Sequence, residues 1–545
     1  MPSYPKNYPF YSWMPKPLGI IILLFFFLPI LTVGGVYSVN STEMMSGLGI
    51  ISEHIQFANF VTSIGMAAFA PFLYQLVCVR REKMMCIVGF AFMYIFSYIC
   101  AKTDSVFLLA LCSLLTGFLR MVLMMVNLFT LIWYAGGMEA TRNITPGLEP
   151  KDASGWNKLD IDRCVSQPAV YLFFMILGQS GTALTAWLSF EYEWKYVYYF
   201  MMGILLVSIL LLFITMPNYK FPGRFPINFR KFGNVTAFCV SLTCLTYVLV
   251  YGKVLDWYDD ESIRWATAVS ILFAGIFLYM DARRRSPYVL LDAFKLRTIR
   301  MGALLYLLLM VINSSAMFVN VFAGVGMHID NLQNAALGNW CMVGYAIGAV
   351  LAMALGSKGL HFKYLFAMGF FFLSLSAVFM YFEVQTAGVY ERLKYAVIIR
   401  ATGMMILYAL TAAYANQRMS FKYLSTWICI MLTVRMVVGP SIGGALYTNV
   451  LQERQQHYVT RYAQNVDLLN PDASASFLGT VQGMKYQGKS ETEARNMAAI
   501  STKGRIQVQA TLSALKEMAG WTIYGGLICM IFVLVIPYPK RKLLT

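Results

Sequence analysis

Arg120, Arg400 and Arg435 stand alone as cations deep inside long apolar stretches of the chain. A guanidinium keeps its charge throughout the physiological pH range, so it cannot relay a proton. It can bind an anion with a fork of N–H groups, depress the pKa of a nearby acid, or cap backbone carbonyls. A charge at the centre of a bilayer costs at least ~2.5–3.5 kcal/mol on insertion scales, so such residues face a cavity or a partner. No acid lies equally deep. Glu53, Asp281 and Glu383 fall at the ends of apolar stretches. His54 adjoins Glu53 and is the residue type that titrates near neutral pH. The six candidates for ligand contact and coupling are therefore Arg120, Arg400, Arg435, Glu53, His54 and Glu383.

A second set is conformational. Gly178 and Gly181, and Gly439, Pro440, Gly443 and Gly444, lie within apolar stretches. Small residues there permit close helix approach, and a glycine–proline pair permits a bend. Polar residues near one end of the second stretch (His54, Gln56, Asn59, Thr62 and Ser63) mark a face able to line an aqueous cavity. The four histidines are scattered and give no metal-ligand spacing. The ten cysteines form no CxxC pair, so neither a metal site nor a disulfide framework is expected. No phosphate-cradling glycine loop or nucleophile triad occurs, which argues against ATP-driven chemistry and predicts no cofactor.

These side chains need elements to hold them. The chain has 545 residues, 59% hydrophobic and 13% charged, against about 25% charged in a soluble domain. With ~20 apolar residues per crossing, spans are expected at 17–39, 54–78, 84–101, 105–133, 168–189, 196–216, 233–252, 263–281, 299–324, 332–356, 364–384, 393–415, 423–449 and 518–538. That is an all-α polytopic membrane protein with fourteen transmembrane helices. The Pro-rich N-terminus enters the first span without a small-residue cleavage site, so that span reads as uncleaved.

Charge sets the orientation. Clusters such as Arg80, Arg81 and Lys83, then Arg283, Arg284 and Arg285, then Lys540, Arg541 and Lys542 fall on one side. The short loops opposite hold only Lys102, Lys195, Lys253, Arg264, Arg392 and Lys394. The positive-inside rule then places both termini in the cytoplasm. The net charge of +17 follows from those loops. It reads as attraction to anionic lipid headgroups, with no nucleic-acid partner.

Two polar segments interrupt the rhythm. Residues 135–167 read as a cytoplasmic loop from their Gly, Pro, Asn and Asp content. Residues 450–517 read as a long extracytoplasmic loop containing two helical stretches. The second of these is expected to run directly into the final span.

Several blocks together resemble a family. Tyr251-Gly252-Lys253-Val254-Leu255-Asp256-Trp257, the run Arg283-Arg284-Arg285-Ser286-Pro287, and Leu291-Asp292-Ala293-Phe294-Lys295-Leu296-Arg297 match its central insert. Gly178-Gln179-Ser180-Gly181, with Trp187 and the aromatic run from Trp194 to Phe200, resembles its fifth-helix motif. Arg400-Ala401-Thr402-Gly403-Met404, and the block from Arg435 through Gly439-Pro440 to Gly443-Gly444, resemble its Arg-Gly blocks. The chain is similar over most of its length to the fourteen-span drug:proton antiporter branch of the major facilitator superfamily, the EmrB/QacA type. It departs from that pattern at Gln75 and Cys78 in the loop after the second span. It departs again at Ser113, where an arginine is usual, and in a first span without an acid.

The resemblance implies the major facilitator fold with an N-terminal six-helix bundle (1–217), a two-helix insert (218–285) and a C-terminal six-helix bundle (286–545). It implies secondary transport across an inner membrane: proton-driven export of amphipathic small molecules, including drugs, by alternating access, and no enzymatic activity. A periplasmic adaptor and an outer-membrane channel are partners in that family. The missing acid and the three arginines keep two other readings open, a transporter of an anionic metabolite or siderophore and an uncoupled membrane sensor or scaffold.

Overall fold

A computed structural model places the chain almost wholly in helices. It describes residues 7–37, 41–72, 81–142, 153–218, 231–284, 287–386, 388–417, 419, 421–464, 466 and 470–538. The expected positions Gln75, Cys78, Arg80, Arg285, Ser286 and Lys540 to Lys542 lie outside the described residues.

The helices are α1 (Lys16–Thr32), α2 (Ser41–Leu48), α3 (Ser52–Phe69), α4 (Glu82–Lys102), α5 (Val106–Arg142), α6 (Ala153–Glu191), α7 (Trp194–Thr215), α8 (Phe232–Tyr251) and α9 (Glu261–Arg283). They continue as α10 (Arg297–Asn313), α11 (Asn331–Asn339), α12 (Cys341–Ser357), α13 (Phe362–Glu383), α14 (Tyr390–Ala415), α15 (Phe421–Leu432), α16 (Gly439–Ala463), α17 (Pro471–Tyr486) and α18 (Glu491–Val535). Among the described residues, thirteen helical segments are long and apolar enough to cross a membrane, so this is a multi-pass membrane protein. The expected first span is α1, which at 17 residues, or about 26 Å, is shorter than those thirteen segments. It stops at Thr32 because Val33 is already extended and Gly34-Gly35 follow.

Two segments read as loops are largely helical. Residues 135–142 continue α5 and 153–167 open α6, so the polar 135–167 stretch is mostly helix extending past the apolar spans. Residues 143–152 lie outside the described residues. Within 450–517, α16 runs unbroken to Ala463, α17 follows, and α18 runs from Glu491 through the final apolar stretch, as expected for that last junction. A capping box at Ser490 and Glu493 starts α18 by satisfying orphan N–H donors.

Packing follows small residues. α3 crosses α5 where a Cβ on Gly117 would stand 2.0 Å from the Thr62 carbonyl oxygen and one on Gly65 2.3 Å from that of Leu114. α12 crosses α14 at Gly344, where a Cβ would meet the Ile398 carbonyl at 2.4 Å. α1, α4, α5 and α7 share one apolar core, and α10, α12, α13, α14 and α15 contribute to others. α6 lies against α12 and α14, and α3 against α15, which joins the first part of the chain to the second. α8 and α9 pack on each other, and α8 touches both α3 and α16. Their connecting loop is tied down by Trp257, whose indole N–H donates to Asn449 on α16 at 3.2 Å.

Two helices carry wide turns. α10 continues through a short turn and Met317–Val321 into a π-helical stretch at Phe322–Gly326, and α15 passes into α16 through another at Thr433–Val438. Pro440 lacks an N–H for the helical ladder, so the wide turn just before it has a local cause.

Candidate functional site

The three arginines occupy three different settings. Arg120 donates from Nε to the Ile30 carbonyl (2.9 Å) and from an Nη to that of Leu31 (2.8 Å). Those carbonyls belong to the last turn of α1, which has no intrahelical donor for them, so Arg120 caps that helix end. Asn127, two turns along α5, likewise donates to the Leu23 carbonyl at 2.8 Å. Both side chains fix α1 to α5.

Arg400 sits midway along α14. One Nη donates to Asn313 Oδ1 (2.9 Å) and the other points to Cys341 Sγ (3.6 Å). Its Nε is buried without a hydrogen-bond partner among the described residues. Tyr345 lies within electrostatic reach of both Arg400 and Tyr408.

Arg435 is 8% exposed and sits in the wide turn before Gly439-Pro440. Its guanidinium carbon lies 4.1 Å from the ring centre of Tyr408, 5.5 Å from Tyr171 and 5.8 Å from Tyr306. Its contact with Met431 Sδ, at 3.9 Å, is long, and its Nε is buried without a hydrogen-bond partner among the described residues. Tyr306 is itself held by its hydroxyl, which donates to the Tyr408 carbonyl at 2.8 Å. Trp427 stacks on Tyr306 with the ring centres 6.2 Å apart.

The two clusters share a surface. Tyr408 is eight residues from Arg400 along α14, and Asn313 seven from Tyr306 along α10, spacings that keep side chains on one stripe of a helix. α6 completes the wall: Tyr171 meets Tyr408 edge-on at 5.2 Å, and Gln179 donates to Asn339 at 3.4 Å. Among the described residues no carboxylate pairs with Arg120, Arg400 or Arg435.

The acids lie elsewhere. Glu383, 6% exposed, accepts from the Val389 N–H at 3.1 Å and faces Arg392 at 3.9 Å, closing the turn from α13 to α14. Glu53 is bonded to the neighbouring Ser52 hydroxyl at 3.0 Å. His54 Nδ1 lies 2.5 Å from the Tyr251 hydroxyl on α8, beside Phe57 and Tyr247. These two therefore belong to the α3–α8 junction and not to the arginine surface.

A buried acid absent from the sequence candidates is Asp281. It is 2% exposed and accepts from Asn234 Nδ2 (3.1 Å) and from the N–H groups of Tyr288 (2.5 Å) and Val289 (3.0 Å). It fixes the entry to the second half of the chain. Beside it, burial draws the Lys231 ammonium below the usual lysine range while Asp281 opposes that shift.

The candidate glycines divide. A Cβ on Gly181 would meet Thr32 at 2.3 Å, one on Gly439 would meet Met310 at 2.7 Å, and one on Gly443 would meet Ser314 at 2.2 Å. Gly178 and Gly444 have open space instead, so close packing does not explain them.

No protein-family model matches the chain, and no curated protein matches it. Solved structures do. A mutant of nucleoside transporter NupG is 12% identical, with a TM-score of 0.51 over 95% of this chain and 100% of that one. A POT family transporter in complex with a thioalcohol conjugated peptide is 12% identical, at 0.50 over 96% and 97%. An auto inhibited POT family peptide transporter is 11% identical, at 0.50 over 97% and 99%. At such identities the likeness is one of fold, the major facilitator type.

Proposed function

We propose that the chain is a secondary transporter that moves an amphipathic organic anion across its membrane, with Arg400 and Arg435 as the anion's ligands. One observation carries this. Both guanidiniums are held in the membrane interior by an amide, sulfur atoms and aromatic rings, with no carboxylate to neutralise them among the described residues. A buried charge without a counter-ion is costly, and each leaves an Nε donor unused. An anionic headgroup would relieve both, while the tyrosines and nearby methionines suit an apolar body. The two carbonyl partners of Arg120 support a bracing role for it instead. The two bundles and the two-helix insert remain the division we propose, with alternating access between bundles.

Proton-driven export of amphipathic drugs is the second reading. It is favoured by the His54–Tyr251 hydrogen bond beside Glu53, a titratable cluster where α3 meets α8. The test is flux in proteoliposomes with matched panels of amphipathic anions and cations, with and without an imposed pH gradient. Saturable anion flux that falls in Arg400→Gln supports the arginine site. Cation flux that collapses the pH gradient and survives Arg400→Gln overturns it in favour of the second reading.

A further inference from the structure

Away from the membrane spans, α16, α17 and α18 form a head around an apolar cavity of about 390 Å³. It is lined by Val459 and Ala463 of α16, Phe477 of α17, and Ala499 and Ile506 of α18, with Lys503 at the wall. That volume is within the range of small-molecule sites, and about two and a half times a ~150 Å³ cavity able to hold a benzene. Among the described residues no His, Cys, Asp or Glu lines it. Of the flanking cations, Lys485 and Arg495 pair with Glu491 and Arg454 with Glu517, while Arg461 and Arg505 have no ion pair among the described residues. Among the described residues Lys503 has no ion pair and is the one charged side chain that lines the cavity. Along α18 it stands 15 residues before Met518, about 22 Å from the last apolar stretch.

We infer that this cavity is a second binding site, for a small amphipathic anion whose apolar chain fills the space between α16, α17 and α18 and whose headgroup meets Lys503. Binding there requires no transport, so it stands or falls separately from the flux experiment.

The test uses full-length protein in lipid nanodiscs. It is irradiated with a dodecanoate carrying a photoreactive group in its chain, or with a matched photoreactive dodecyl-trimethylammonium, and labelled peptides are identified by mass spectrometry. The carboxylate should label the peptides holding Phe477 and Ile506 about fivefold more than the cation does, the scale of an exposed charge contact. Excess plain dodecanoate should suppress that label. Ala499→Trp, which fills the cavity, should abolish it. Lys503→Glu should reverse the headgroup preference while retaining cation labelling, which shows that this variant is folded. No label on those peptides, equal labelling by the two headgroups in the unaltered protein, or undiminished label in Ala499→Trp would overturn the inference.

Discussion

Arg435→Met separates a ligand role for Arg435 from a bracing one. Methionine keeps most of the volume and offers sulfur to the same rings, so the packing around Tyr408, Tyr171 and Tyr306 is largely retained. What is lost is the cation over those rings, at 4.1, 5.5 and 5.8 Å. A desolvated cation–π contact contributes about 2 kcal/mol or more. Against this, removing an ion with no carboxylate partner relieves a desolvation cost of several kcal/mol. Stability should therefore be unchanged or raised. A charge-assisted hydrogen bond to a bound anion contributes about 1.5–3 kcal/mol, so affinity should fall roughly 10- to 150-fold. Thermal unfolding followed by tryptophan fluorescence, and equilibrium binding of the anion identified in the flux panel, measure the two effects on one preparation. A variant that unfolds several degrees lower yet binds normally would refute the reasoning and leave Arg435 a brace.

Further outcomes follow from local geometry. Arg120→Ala should lose about 1–3 kcal/mol, because two carbonyls at the end of α1 lose their donor; anion affinity of the folded fraction should not change, as binding and melting curves will show. Gly117→Ala should destabilise by about 1–3 kcal/mol, since its Cβ would lie 2.0 Å from a backbone oxygen. Gly178→Ala should be neutral or stabilising by up to ~1 kcal/mol, because open space surrounds it and alanine favours helix; parallel melts compare the two. Asp281→Ala leaves two backbone N–H groups and an amide without their acceptor, and should cost about 1–3 kcal/mol for each donor that stays buried and unpaired. Asp281→Asn should cost less, which yields of folded protein on size-exclusion chromatography would report.

The apolar rhythm made the spans legible, because lipid requires ~20 residues per crossing whatever packs against them. It also marked Arg120, Arg400 and Arg435, since charge in such a run stands out by type alone. It could not tell them apart. Whether a guanidinium meets carbonyls, an amide or rings depends on partners distant in sequence, as with Asn313, 87 positions from Arg400, and Ile30, 90 from Arg120. Tyr171, Tyr306 and Tyr408 gave no separate signal in a chain with 34 tyrosines. Asp281 was visible as an acid at a span end. Its role depends on the backbone after Pro287 folding back onto it, which periodicity does not encode. The polar 135–167 stretch reads as a loop by composition, which weighs Gly and Pro above helical continuity beyond the membrane.

The tyrosine cage bears on the proposed cycle. Tyr171 comes from α6, in the proposed first bundle, while Tyr306, Tyr408 and Arg435 come from the second. If the bundles rock, the cation keeps two rings and gives up the third, so this contact holds the halves in the present arrangement. At about 2 kcal/mol for a desolvated contact, removing it shifts the balance of states up to roughly 30-fold. Tyr171→Ala should therefore populate the alternative arrangement without an anion present. The readout is a cysteine introduced at Gln179, which lies 3.4 Å from Asn339 across the same seam. Its rate of alkylation by a membrane-impermeant maleimide should change by an order of magnitude when Tyr171→Ala is added. Tyr171→Leu, which restores bulk without a π face, should behave like the alanine variant. Recovery of the original rate by leucine would show that steric filling, and not the cation, holds α6 in place.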